Sequence, residues 1–141
     1  MRKSMIFTLV VVIGFCLTGY AFAEDKALES AIYYDNKTGL EWLAGPDKPT
    51  NWYDAKKWVE SLNVAGGGWR MPTRKELKAL YKMGAGKRNM TPLLKTTGWQ
   101  VWSGETMDSS PWGFGFGSGF EALDKSAFSS NRRGFAVRSR R

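Results

Sequence analysis

Gly66-Gly67-Gly68-Trp69-Arg70-Met71-Pro72-Thr73-Arg74-Lys75-Glu76-Leu77 is the stretch from which the rest of the 141-residue chain can be read. Three successive glycines admit a tight or left-handed backbone that other residues resist. Pro72 then stands at the entry to a helix. Thr73 with Glu76 three residues on matches a capping box, in which each side chain closes an orphan amide of the first turn. Leu77 and Leu80 give that helix an apolar stripe, and Trp69 is placed to fix the turn against a core. No catalytic group stands in the stretch.

Upstream, Trp52, Ala55, Trp58, Val59 and Leu62 recur at helical spacing behind Asn51, which predicts a capped helix to about Leu62. Asp54, Lys56, Lys57 and Glu60 take its wet face. The second helix is expected to end near Met83-Gly84. Before the first helix, Ile32 to Asp35 and Leu40 to Leu43 flank Asn36-Lys37-Thr38-Gly39, the pattern of a β-hairpin. Glu24 to Ser30 is polar and is expected to fray. After Gly84, residues 85–97 read as a basic loop, with Pro92 against any long helix. Residues 99–103 and 112–116 read as strands. In the latter, aromatics alternate with glycines and so share one face. Residues 120–128 read as a turn-rich connection, and 134–138 as a closing strand. Strands, two helices, then strands make a single α+β domain.

At the N-terminus, Arg2 and Lys3 precede an apolar run from Met5 to Leu17, and Ala21-Phe22-Ala23 offers small residues for cleavage. Residues 1–23 thus read as a signal peptide and 24–141 as the exported domain. The run is shorter than the ~20 residues of a spanning helix, so no transmembrane segment is expected after cleavage. Phe15 before Cys16 is too large for a lipid-attachment box. The only cysteine, Cys16, leaves with the signal, and the chain has no histidine. That removes thiolate and imidazole nucleophiles, bases and metal ligands together. An exported chain without disulfides fits a bacterial periplasm or secreted bacterial protein. Arg2 and Lys3 leave too, so the net charge of +8 falls by two. All seven tryptophans stay, enough aromatic area for a small core without disulfides. The remaining basic excess favours acidic polysaccharide, phosphate-bearing envelope polymers or anionic lipid surfaces, with nucleic acid the weaker fit for an exported chain. A solvated basic tail over Lys125–Arg141 explains the charge equally well.

The order Asp35…Thr38-Gly39-Leu40-Glu41-Trp42, Trp52-Tyr53-Asp54-Ala55 with Leu62, Gly68-Trp69-Arg70-Met71-Pro72-Thr73…Glu76-Leu77, Val101-Trp102-Ser103 and Phe135-Ala136-Val137-Arg138 resembles the Lcl C-terminal domain family. The resemblance covers nearly all of residues 24–141. It implies a C-type-lectin-like fold, with two helices packed beside a small twisted antiparallel sheet whose terminal strands pair. Adhesin members imply binding to sulfated or otherwise acidic glycans. The chain departs from the family in lacking collagen-like repeats and in carrying Ala136 where a cysteine is often found.

Candidate ligand-binding residues follow from charge and aromatic faces. Arg132 and Arg133 could clamp a sulfate, phosphate or carboxylate, and Lys87 and Arg88 could extend the patch. Trp99 and Trp112, beside glycine or proline, are expected to be the exposed tryptophans, whereas Trp42, Trp69 and Trp102 are expected in the core. Phe114 and Phe116 suit core packing better than a sugar platform. Arg138 is expected either to bind an anion or to pair with Glu41 or Glu76. Glu105 and Asp108 lack any lectin-type calcium triplet, and no pair among the acids is singled out for glycoside hydrolysis. The expectation is therefore a binding module without catalytic residues, metal or cofactor. Its partner would be an acidic polysaccharide or, in the alternative of a periplasmic assembly factor, an envelope protein.

Overall fold

The computed structural model describes residues 23–140. The expected signal peptide over 1–23, with Cys16, lies outside the described residues except for Ala23. The chain divides into two compact units, Met1–Ser30 and Ala31–Arg141. In the first, residues 23–30 are helical rather than frayed. Alanine, leucine, glutamate and lysine there are strong helix formers, whatever their polarity. No helix among the described residues is long and apolar enough to cross a membrane.

The second unit is α+β, with two small antiparallel sheets where one was expected. Strand β1 (Tyr33–Asp35) turns into β2 (Leu40–Ala44), and β2 pairs on its other side with β6 (Phe135–Ser139). Asp35 shapes the hairpin: its carboxylate accepts from the Lys37 amide at 3.0 Å and the Thr38 hydroxyl at 2.8 Å. Gly39 closes it at φ 73°, left-handed backbone that glycine adopts without strain. The second sheet is β3 (Gln100–Met107), β4 (Ser110–Gly115) and β5 (Phe120–Leu123) in that order.

Helix α1 (Trp52–Glu60) is capped by Asn51, whose side-chain oxygen accepts from the Asp54 amide at 2.8 Å. Helix α2 (Arg74–Leu80) starts at the expected capping box. The Glu76 amide donates to the Thr73 hydroxyl at 3.1 Å, and the Thr73 amide to the Glu76 carboxylate at 2.9 Å. The helix stops before Met83 because Tyr81 turns extended and sets its ring edgewise on Phe114, centroids 5.8 Å apart. Residues 120–123, expected within a turn-rich connection, form the edge strand β5 instead; it is exposed along most of its length and so carries no inside–outside alternation.

The main core joins Trp42, Leu77, Val101, Phe114, Phe116 and Val137 from both sheets and α2. Trp52, Ala55, Trp102 and Ala127 form a second cluster under α1. Between the helices, Ala65, Gly66, Gly67 and Gly68 all take positive φ, a four-residue left-handed run that three glycines make possible.

Candidate functional site

Arginine stacked on tryptophan recurs through this unit. Arg138 lies 4.3 Å from the Trp69 ring, Arg74 4.2 Å from Trp112, Arg132 4.5 Å from Trp102 and Arg88 4.5 Å from Trp99. A guanidinium plane over an indole face combines dispersion with attraction to the ring quadrupole. The ionic partners then separate the four.

Arg138 is buried. Its Nε donates to Glu41 at 2.7 Å, and its Nη1 reaches the carbonyls of Ala65 at 2.8 Å and Gly67 at 2.6 Å. The cation thus collects the oxygens of the left-handed turn, and Trp69 closes over it while donating to Val64 O at 3.0 Å. The Glu41 alternative holds, and Glu76 instead grips Arg70 with both oxygens at 2.7 Å.

Arg132 is 5% exposed and is no open clamp. Its charge pairs with Asp124, and its guanidinium is closed between Trp102 and the bare backbone of Gly113. A Cβ on Gly113 would lie 2.4 Å from Arg132 Nε, which is why the aromatic–glycine alternation needs its glycine there. Arg133 is also committed, donating to Asp47 at 3.0 Å beside Thr97. The doublet that sequence offers as an anion clamp is spent on internal acids. Burial pushes the Asp124 carboxyl upward, but the Ser126 amide, Asn131 and Arg132 outweigh it and leave it below the ordinary aspartate range. The Thr97 amide, with Arg133 assisting, draws Asp47 down too.

Trp112 is covered by Arg74, which is paired with Glu105 and Glu121, and it stands mid-strand in β4, beside the Trp102–Gly113 pair rather than at the Gln100–Gly115 end next to Trp99. Trp112 therefore does not join the other candidates.

Arg88, Lys87 and Trp99 do come together. Arg88 Nε donates to Thr97 O at 2.9 Å and Nη1 to Lys87 O at 3.1 Å, which hold the guanidinium over the Trp99 ring. Trp99 remains 43% exposed. Asn89 fixes the loop: its side chain donates to Phe116 O at 2.8 Å and accepts from the Gly84 amide at 3.0 Å, with φ at 55°. Asparagine tolerates that left-handed geometry better than most residues. Lys87 and Lys95 are exposed on the same loop. Of the seven arginines among the described residues, Arg70, Arg74, Arg132, Arg133 and Arg138 pair with carboxylates, and Arg88 and Arg140 do not. Arg140 rests on Tyr34 near the C-terminus.

Sequence reasoning missed two concave features. One, of about 300 Å³, lies between Trp52 and Trp69. Its polar groups are engaged, since Trp52 donates to Ser103 O, Trp69 to Val64 O and Arg70 to Glu76. The other, of about 350 Å³, lies between α1 and residues 46–50. No three His, Cys, Asp or Glu side chains among the described residues converge as a metal site.

The family model of the Lcl C-terminal domain matches residues 31–138. No curated protein matches the chain.

Proposed function

The chain belongs to the Lcl C-terminal domain family, and on that premise we propose that it is an exported, non-catalytic binding module for acidic glycans of the bacterial envelope or its surroundings. A C-type-lectin-like fold is part of the same reading, supported by the strand pairing that brings the closing strand β6 beside the opening hairpin. The observation that carries the proposal is Arg88. It alone among the four tryptophan-stacked arginines has no carboxylate, yet backbone carbonyls hold it in place. A preorganised guanidinium without an internal counter-charge offers its free Nη2 to a sulfate or carboxylate, while the exposed Trp99 edge meets the sugar bearing it. Lys87 and Lys95 add positive potential around it. Glycan recognition here does not need Arg132 or Arg133 as ligands.

The test is binding to immobilised dextran sulfate, polygalacturonate and plain dextran at two salt concentrations. Binding to both acidic polymers that weakens with salt, and far exceeds binding to dextran, supports the proposal. Equal, salt-insensitive retention on all three, or none on the acidic pair, overturns it.

A protein partner has one observation in its favour. Tyr53 and Phe128 form an exposed ring pair, centroids 5.1 Å apart. Loss of a stoichiometric envelope partner on Tyr53→Ser/Phe128→Ser, with polysaccharide binding intact, would establish that second role.

A further inference from the structure

We propose that the cavity of about 350 Å³ beside Trp58, lined also by Lys48, is a saccharide-ring subsite that reads hydroxyl groups. It goes beyond the acidic-glycan reading and needs none of the Arg88 platform.

Trp58 is fixed by close packing. Its ring edge presses on the backbone of Gly45. A Cβ on Gly45 would lie 2.4 Å from Gly134 O and 3.1 Å from the Trp58 ring. Gly45 therefore lets the indole approach the chain closely, while Gly134 makes room for Ala55. Trp52, Trp69 and Trp102 each donate their indole N–H to a carbonyl. Trp58, like Trp42, Trp99 and Trp112, donates to no protein acceptor, and its ring stays half-buried at the cavity wall.

Around it stand polar side-chain atoms that are likewise uncommitted. The Asp54 carboxylate has no partner, because the hydrogen bond at that residue is made by its backbone amide to Asn51 Oδ1. That bond leaves the Asn51 amide nitrogen free, and the Ser130 hydroxyl is free as well. One carboxylate to accept from neighbouring hydroxyls, an amide and an indole N–H to donate, and an aromatic surface for the weakly positive C–H face of a pyranose make a complementary set. The volume lies in the range of about 300–1,000 Å³ typical of small-molecule sites. The wall opposite Trp58 is also held firmly. Residues 46–50 are tied down where Asp47 accepts from the Thr97 amide at 3.0 Å and where the Thr50 amide donates to Arg132 O at 2.8 Å. A fixed wall lowers the ordering cost of binding a small ring.

The experiment is a titration of ¹⁵N-labelled protein with glucose, galactose, mannose, N-acetylglucosamine and glucuronate, watching the Trp58 indole N–H, assigned with Trp58→Phe. A saturable shift of that signal with at least one neutral sugar, unaltered by Arg88→Ala, is the expected result. Asp54→Asn removes the charged acceptor without touching the helix cap and should weaken that sugar by about tenfold. Because Asp54 is the acid in the first turn of α1, the variant should melt slightly lower but still cooperatively, which separates a lost ligand contact from a lost fold. No shift at Trp58 with any of the five sugars, or an unchanged titration in Asp54→Asn, overturns the proposal. Loss of the sugar shift in Arg88→Ala would also overturn it, because the two sites would then not be separate. Acidic-polymer binding can fail with the Trp58 shift intact, so the two readings fall independently.

Discussion

The turn around Arg138 and the loop around Arg88 use the same pair of side chains to opposite ends. Each guanidinium lies 4.3–4.5 Å from an indole ring, and each is steadied by backbone carbonyls. Arg138 is 7% exposed and pairs with Glu41, whereas Trp99 beneath Arg88 is open and Arg88 makes no ion pair, because Asp47, the acid on Thr97, is taken by Arg133 and the Thr97 amide. An arginine with an internal counter-charge is a structural tie, and one held in place without a counter-charge is available to an outside anion. Stacking alone does not tell them apart.

The largest effect that would break this contrast is at the turn. Arg138→Ala leaves the half-buried Glu41 and the carbonyls of Ala65 and Gly67 unpaired, and breaking an ion pair at this depth costs about 3 kcal/mol. Urea melts should show that loss. A change of under about 1 kcal/mol would mean the turn is held by its glycines and Trp69 instead. Next in size is Thr73→Ala, which removes half of the capping box from α2 and should cost about 1 kcal/mol in the same melts.

Acid sharpens the contrast without mutation. Asp124, Asp47 and Glu76 all titrate below their ordinary values in the fold. Glu76 does so because Arg70 and the Thr73 amide overcome its burial. Carboxyls with depressed native pKa values add stability that is complete above their unfolded values. That stability drains as the pH falls from about 5 toward the native values. With no histidine in the chain, stability should stay flat from about pH 6 to 8 and fall only on the acid side. Asp124→Asn should make the acid limb shallower in pH-dependent thermal melts.

Most of the architecture around Thr73 was legible in the sequence because caps, turns and helical stripes are local. Asn51, Asp35, Gly39 and the Thr73–Glu76 box act within a few residues of themselves. Arg138 with Glu41 was readable as a pairing because both sit on strands that the hairpin and closing segment bring together. The site was less legible. Arg132 and Arg88 look alike in a list of cations, and what divides them is distant in the chain: Trp102 and Gly113 around one, Thr97 and Trp99 around the other. Asp124 lay within a segment read as turns, with nothing local to mark it as the partner of Arg132. The split into two sheets was hidden for a similar reason, since β5 is an exposed edge without alternation. The cavity beside Trp58 depends on Gly45 and Gly134 meeting across the fold, which no local pattern announces.

The smallest expected change in stability carries the largest in binding. Arg88→Ala removes a surface stack and should shift stability by no more than about 0.5 kcal/mol. The decisive measurement is its dextran sulfate isotherm at low salt beside that of wild type, with both melting curves taken on the same samples. A wild-type melt with affinity reduced tenfold or more is the expected result. An unchanged isotherm would contradict it and return Arg88 to the arginines that only hold the structure together.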